Sequence, residues 1–402
     1  MKRSKLQIVA ATGVMGSVVA GVSGIGYCQV GVPLVTPQDL EPLKFRPGAR
    51  VTGMGGSYLF SGRFDSAAPY NPAADLRSNG SLNLTASSEN LDVNEIVDLA
   101  SSIGDLTEQV DEGGGANTVT GVQEAFNEVF ESAQGTGGRP IRASVATANT
   151  IPLPFIKKVG FTYLGGFSSN VTLTTRGTTQ GTRVLDVSGG LLGLDNFGLP
   201  ISMFTRYGKV GIAPKIVGAA YGGFQYTANE STTTADPATG TPPNTIQGTT
   251  FDFENDYRPS ADIGFISHPY TKRKLQGAVV VRNILSPKFQ IRSEDQNGVA
   301  RNFDFKLKPS IDFGVKMPLA KGQGTLLGEV HNLTSGNNTD RTFHIGAEYQ
   351  VGKILALRTG YDQKYKFTYG AGFRIGKLLS LDVAAAKNPR ERFSVGFSIL
   401  GF

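Results

Sequence analysis

The sequence predicts an all-β protein, a transmembrane antiparallel β-barrel of about 14 strands. Three observations predict this fold: short segments alternate apolar and polar side chains with a period of two, their apolar faces carry aromatic residues, and their polar faces mix glycine with charged residues. Successive side chains leave a strand on opposite sides, so this period indicates strands. Two unlike faces are typical of a wall with hydrocarbon on one side and a polar lumen on the other.

The stretch 341–402 shows the pattern most clearly, because it contains five such segments in succession. In the first of them, Phe343 and Ile345 lie on one face, and His344 and Glu348 lie on the other. A sheet in lipid has to close on itself, since an open edge would leave backbone groups without partners. We therefore interpret these segments as the closing strands of a barrel.

The composition agrees with many strands and tight turns. The chain has 402 residues, of which 39% are hydrophobic and 18% are charged, and it contains 52 glycines, 24 phenylalanines and 13 tyrosines. Abundant glycine and aromatic residues without long apolar runs fit a large barrel. The net charge of +6 is not clustered into a basic stripe, so we expect no nucleic-acid partner.

The N-terminus resembles a secretory signal. Basic residues within positions 2–5 precede an apolar run from Leu6 to about Val22, and small residues follow it. We predict a Sec signal peptide at residues 1–26 and location in the outer membrane of a Gram-negative-type (diderm) bacterium. A membrane anchor and a lipoprotein at Cys28 are the alternatives, but Tyr27 is bulky where lipoprotein processing requires a small residue.

Residues 90–135 interrupt the strand pattern. Apolar residues such as Ile96, Leu99 and Ile103 recur at helical spacing, and a second set around Phe126 does the same. This spacing predicts a small helical insertion. Two interpretations of it stay open: a packed helical hairpin that caps the barrel mouth, and a mobile plug or partner-binding lid.

Strand-like segments of about 9–11 residues return after the insertion, which is long enough to cross a bilayer at the usual tilt. Counting them gives roughly 14 strands for the whole chain. The stretch 228–249 is rich in Thr, Asn and Pro and has no periodicity, so it predicts a long exposed loop. Residues 295–298 and 335–338 are predicted turns.

Several motifs resemble one family of outer-membrane proteins. Residues 48–60 (GARVTGMGGSYLF) and 65–76 (DSAAPYNPAADL) resemble the N-terminal signature of proteins related to the long-chain fatty-acid transporter, the FadL-like proteins. More narrowly, they resemble the TraF-like and PorV-like branch. Residues 262–265 (DIGF), 281–287 (VRNILSP) and 344–349 (HIGAEY) are similar to later motifs of that branch.

The resemblance implies a hatch. In FadL-like relatives the N-terminal segment lies inside the barrel, so residues 27–80 are expected to form a leader and a luminal hatch before the barrel at 81–402. The expected hatch residues are Gly53, Gly55, Gly56, Asn71, Pro72 and Ala73.

The resemblance also implies two alternative functions. One is passive transport of hydrophobic or amphipathic small molecules across the outer membrane. The other is a non-transporting barrel that serves a secretion, conjugation or surface-assembly system. The expected partners are outer-membrane lipid together with hydrophobic small molecules, or with secretion or conjugation components.

Charged residues on the polar faces are expected to point into the lumen. They are Arg282, Asp312, Lys316, Glu348, Arg358, Arg374 and Asp382, with Glu329 beside them. Cross-strand ion pairs would satisfy these charges, and a pathway that selects solutes by charge is the alternative. Opposite signs on neighbouring strands favour ion pairs.

No catalytic constellation is present in the sequence. There is no GxSxG or HExxH motif, and a single cysteine excludes CxxC pairs. The three histidines, His268, His331 and His344, lie far apart in the sequence, so structural hydrogen bonds are favoured over a metal site. We expect no enzymatic activity, no cofactor and no metal.

Overall fold

The structure is a computed structural model, and it describes thirteen stretches of the chain. These are residues 48–60, 67–74, 81–89, 141–153, 158–176, 184–229, 245–270, 274–294, 300–319, 322–334, 341–376, 378–386 and 392–400. The predicted signal peptide, the leader up to residue 47, the helical insertion at 90–135 and the turns at 295–298 and 335–338 lie outside the described residues.

Strands dominate the described residues, with one helical turn, α1 (Ala49–Gly53), before them. The strands are β1 (Ser81–Glu89), β2 (Ile141–Pro152), β3 (Gly160–Arg176), β4 (Val184–Gly198), β5 (Ile201–Phe204), β6 (Gly208–Asn229), β7 (Thr245–Ser267), β8 (Gln276–Arg282), β9 (Lys288–Glu294), β10 (Ala300–Lys306), β11 (Ser310–Leu319), β12 (Gly324–His331), β13 (Thr342–Val351), β14 (Leu355–Asp362), β15 (Lys366–Ile375), β16 (Leu379–Ala386) and β17 (Arg392–Leu400). No helix of this described part is long and apolar enough to cross a membrane.

The strands close into an antiparallel barrel. Sequence neighbours pair from β1 to β4, from β6 to β8 and from β11 to β17. The ring closes because β4 pairs with β6, β8 pairs with β11 and β17 pairs with β1. The ring of described strands therefore contains 14 members, as predicted. The short β5 continues β4 along the same edge of β6, where Ile201 is opposite Ile212.

The five C-terminal strands have the two faces that the sequence predicts. Phe343 and Ile345 on β13 are 53% and 54% exposed on the outer surface, whereas His344 and Glu348 on the other face of the strand are 1% and 6% exposed. An exposed apolar outer surface is costly in water and favourable in lipid. The outer face of the wall therefore has the chemistry of a membrane-embedded barrel.

The wall is not equally high all around. We call β3 to β7 the tall half, since β3, β4, β6 and β7 contain 15 to 23 residues. The strands β1, β8 and β11 to β17 contain 7 to 10 residues each, and we call them the short half. Because roughly 9–11 residues cross a bilayer, the tall half extends well beyond it.

The prediction of a loop over 228–249 is wrong at both ends, because β6 continues to Asn229 and β7 already begins at Thr245. The physical reason is the height of this wall. Strands that rise out of the hydrocarbon region have no apolar face, so the period-two signal disappears while the hydrogen-bonded ladder continues. Threonine, which is frequent here, is also a good strand residue.

The hairpin of β9 and β10 is a separate two-stranded sheet that is not part of the wall. It follows β8, which is so short that β7 pairs with it only over residues 263–266. Phe289 and Ile291 of the hairpin pack with Val217 and Tyr221 of β6, on the face of β6 opposite the exposed Ile216. The hairpin therefore lies on the luminal side of the tall half.

Candidate functional site

The lumen of the barrel contains residues 48–60 and 67–74, which we call the luminal segment. The helical turn α1 lies against β14 to β17 and β1 of the short half. Met54 and Leu59 of the segment are fully buried, and Tyr58 is 5% exposed. These apolar residues pack on Val280 and Leu327 of the wall, so the luminal segment is part of the protein's core.

Glycines of the wall allow the luminal segment to approach closely. A side chain at Gly360 would collide with the backbone of Gly55, and one at Gly346 would collide with the carbonyl group of Met54. Gly370 also lies close to Gly53, since an added Cβ would come within 3.3 Å of the Gly53 Cα. On the tall half, Gly211 lies against Pro72 and Gly264 lies against Asn71.

The residues expected at the hatch occupy two parts of the luminal segment. Gly53, Gly55 and Gly56 form the end of α1 and the turn after it, where Gly55 and Gly56 have φ of 66° and 86°, a left-handed conformation that favours glycine. Asn71 closes the second turn: its Nδ2 donates to the carbonyl oxygen of Leu59 at 3.1 Å, and its Oδ1 accepts from the backbone N–H of Ala73 at 3.0 Å.

Buried charges join the luminal segment to the short half. Glu348 Oε2 on β13 accepts from Arg50 Nε of the segment at 3.0 Å and from Arg358 Nε of β14 at 2.8 Å. Arg358 also pairs with Asp382 on β16. All four residues are buried, so removal of one charge would leave its partners in a low-dielectric site.

A second polar group holds the next turn of the segment. Glu329 accepts the backbone N–H groups of Tyr58 and Leu59 at 2.9 and 3.0 Å. The hydroxyl of Tyr58 donates to Asp312 at 3.0 Å, and Asp312 pairs with Arg282 at 2.7 Å. The guanidinium carbon of Arg282 also lies 4.5 Å from the centre of the Tyr58 ring.

Five of the seven charged residues predicted to face the lumen thus take part in ion pairs with one another. The remaining two, Lys316 and Arg374, lie on the inward register of β11 and β15 and are less buried. Opposite charges on neighbouring strands neutralise each other, which favours ion pairing over a charge-selective pathway in the short half.

Two of the three histidines, which are separated in the sequence, lie next to each other in the fold. The rings of His331 and His344 stack with centres 4.2 Å apart, and His331 stacks on Tyr58 at the same distance. The pairing of β12 with β13 explains this contact. Glu329 lies opposite His344, and His331 is two residues along β12 from Glu329, so both histidines lie on the same face of the sheet. Within the described stretches no group of three or more His, Cys, Asp or Glu residues is arranged to hold a metal ion.

The lumen of the tall half is apolar where the hairpin lies. Its cluster of buried residues joins the inner faces of β4 and β6 to one face of the hairpin. The members are Leu192, Leu194, Val217, Ala219, Tyr221, Phe289, Ile291, Phe303, Phe305 and Leu307. Sequence reasoning missed this cluster, since alternation alone does not distinguish a wall strand from a strand packed inside the wall.

A cavity of about 80 Å³ lies between this cluster and the luminal segment. Ala68, Pro69 and Pro72 of the luminal segment line one side of the cavity. The tall half, the end of β8 and the root of the hairpin contribute Thr162, Leu164, Leu194, Asn196, Gly198, Ala213, Lys215, Asp262, Arg282, Asn283 and Leu307. Apolar and polar groups therefore meet at one small site.

No protein-family model and no curated protein matches the chain. Among solved structures, the P. putida toluene transporter TodX is similar with a TM-score of 0.50 and 11% identity, over 89% of this chain and 99% of TodX. The Ralstonia pickettii toluene transporter TbuX has a TM-score of 0.48 at 14% identity over 88% and 97%, and a Pseudomonas aeruginosa FadL homologue has 0.41 at 12% identity over 92% and 98%. The chain shares its barrel fold with TodX.

Proposed function

We propose that this protein is an outer-membrane barrel, exported through the Sec pathway, that lets small hydrophobic or amphipathic molecules pass without an energy source. The observation that carries the proposal is the apolar lining of the tall half, which reaches the cavity beside the luminal segment. A lumen filled only with ion pairs would offer nothing to such molecules. The shared fold with TodX, described as a toluene transporter, supports the same conclusion.

In this proposal the luminal segment is a hatch that is fixed on one side and adjustable on the other. Arg50 and Tyr58 hold it to the short half through buried hydrogen bonds. Residues 67–74 contact the tall half through small residues, with Ile266 against Ala67, Ala68 and Ala74. A molecule would pass between this turn and the inner face of β4 and β6.

The test is uptake of toluene by cells that do or do not produce the protein. Ala213→Phe places a ring in the cavity, because Ala213 is 6% exposed and lines it. We expect this variant to lose most uptake. The matched control is Ile212→Phe, one residue away on the outer face, where the side chain is 43% exposed.

Both variants have to migrate as folded, heat-modifiable barrels for the comparison to count. Uptake that is the same with and without the protein would contradict the proposal, and so would equal uptake by the two variants.

A second candidate is a non-transporting barrel in a secretion, conjugation or surface-assembly system, as in the TraF-like and PorV-like proteins. The observation that favours it is the buried charge network, which closes the lumen of the short half around the luminal segment. Crosslinking in cells followed by purification distinguishes the two candidates. Capture of a defined set of secretion or conjugation components, together with unchanged uptake, would favour the second.

A further inference from the structure

We propose that the cavity in the tall half is a binding site for a small, uncharged molecule that carries a hydroxyl group, such as a phenol or a short alcohol. The inference deepens the proposed function, since it names the class of molecule that this part of the lumen would take. Its physical basis is a pair of buried polar atoms without hydrogen-bond partners among the described residues, which belong to Asn283 and Arg282, two residues that line a small and partly apolar space.

Asn283 supplies a hydrogen-bond acceptor. It is 7% exposed, it lines the cavity, and its Oδ1 has no hydrogen-bond partner among the described residues. Its backbone is fixed, because φ is 50° and its N–H donates to Asp262 Oδ1 at 2.8 Å. A buried acceptor without a partner is rare in folded proteins and is normally satisfied by water or a ligand.

Arg282 supplies a donor beside it. Its guanidinium group is held by Asp312 at 2.7 Å and lies over the ring of Tyr58, yet its buried Nε has no hydrogen-bond partner among the described residues. A hydroxyl group can donate one hydrogen bond and accept others. It therefore satisfies both residues, whereas a hydrocarbon satisfies neither and a ketone satisfies only the arginine.

The charges around the cavity favour a neutral ligand. Lys215 Nζ lies 2.8 Å from Asp262 Oδ1, and Arg282 is paired with Asp312. Each cation near the cavity thus has a carboxylate partner. An anionic ligand would have to compete with these carboxylates, while a hydroxyl group leaves both ion pairs intact.

The size and lining of the cavity fit a small molecule with an apolar part. A buried water occupies roughly 10–15 Å³ on the same scale, so about 80 Å³ accepts a hydroxyl group with several carbon atoms. Leu164, Leu194 and Ala213 are among the apolar residues that line it.

The chain offers a matched control for Asn283. Asn332 follows β12 as Asn283 follows β8, it has φ of 57°, and its N–H donates to Asp312 Oδ1 at 2.9 Å. Asn332 does not line the cavity. Glycine tolerates positive φ, so Asn283→Gly and Asn332→Gly each remove only the carboxamide.

The experiment is equilibrium dialysis of phenol and toluene against the full-length barrel in detergent, with protein-free micelles subtracted. The two probes have the same number of non-hydrogen atoms and differ by a hydroxyl for a methyl group. We expect the wild type and Asn332→Gly to bind phenol about tenfold more tightly than toluene, the net effect of the hydrogen bonds to Asn283 and Arg282. We expect Asn283→Gly to lose most of this preference, because only the hydrogen bond from Arg282 remains.

Equal binding of the two probes by the wild type would mean that the cavity does not recognise the hydroxyl group, and would overturn the inference. An unchanged phenol preference in Asn283→Gly would do the same. If Asn283→Gly does not fold, Ala213→Phe replaces it and has to abolish phenol binding. A phenol preference without any uptake by cells would instead contradict the proposed function alone.

Discussion

The short and tall halves of the wall present different side chains to the lumen. Short-half strands present His344, Glu348 and Arg358 inward and use them to hold the luminal segment by buried ion pairs and hydrogen bonds. Tall-half strands present Leu192 and Val217 inward, and the hairpin of β9 and β10 covers these residues. One side of the lumen is thus closed by directional contacts, and the other is filled by packing that leaves a cavity.

This difference indicates which contacts of the luminal segment can change at a low cost in free energy. Breaking a buried ion pair exposes a charge to a low-dielectric interior, which costs several kilocalories per mole. Sliding one apolar surface along another changes few directional contacts. Passage of a small molecule is therefore expected beside the tall half, with the short half unchanged.

The largest effect is expected from Glu348→Ala in the short half. The variant removes the carboxylate that both Arg50 and Arg358 contact. We expect the free energy of unfolding to fall by about 3–5 kcal/mol, measured by urea titration in lipid vesicles. The exposed Glu254 on the tall half is the control, since its replacement by Ala should change stability by less than about 0.5 kcal/mol. Similar losses of stability in both variants would contradict the difference between the two halves.

A somewhat smaller and local effect is expected from Phe289→Ala in the hairpin. Phe289 is fully buried between the hairpin and the tall half, stacked 4.8 Å from Phe305. Its truncation should cost about 3 kcal/mol of packing.

The hairpin of this variant should then become a site of limited proteolysis while the barrel still migrates as folded. Asn302→Ala, on the exposed face of the same hairpin, should keep the hairpin resistant. If Phe289→Ala unfolds the whole barrel, the two halves are not independent.

The smallest effect is expected from Gly360→Ala. The added methyl group would meet the backbone of Gly55, so the luminal segment has to shift, at a cost of about 1–3 kcal/mol. Gly328→Ala is the matched control because no atom lies within 4 Å of the added carbon. The measurement is the thermal unfolding midpoint of both variants, which we expect to be lower for Gly360→Ala. Equal midpoints would show that the luminal segment is not packed tightly against the short half.

Much of the fold could be predicted from the sequence because the two faces of the wall meet different environments, lipid outside and a polar lumen inside. Phe343 and Glu348 lie on opposite faces of β13 as their alternation predicts. The same argument identified Arg358 and Asp382 as inward charges. It failed at Thr245, where β7 has already begun although the sequence shows no alternation of apolar and polar residues.

The candidate site was harder to predict, since it depends on register and on what covers an apolar face. His331 and His344 meet only because of the pairing of β12 with β13. Phe289 and Phe303 alternate like wall residues, yet they cover the inside of the wall. Asn283 stands in an expected motif, but its unsatisfied Oδ1 appears only when the chain is folded.

The most direct test of the account is a disulfide across the short half. Thr52 Oγ1 and Ser394 Oγ lie 3.3 Å apart, so Thr52→Cys with Ser394→Cys, in a Cys28→Ser background, would lock the luminal segment to β17. The measurement is toluene uptake before and after oxidation. The account predicts uptake equal to that of the reduced protein, because the short-half contacts stay closed during passage. Uptake that is lost on oxidation and restored by a reductant would contradict it.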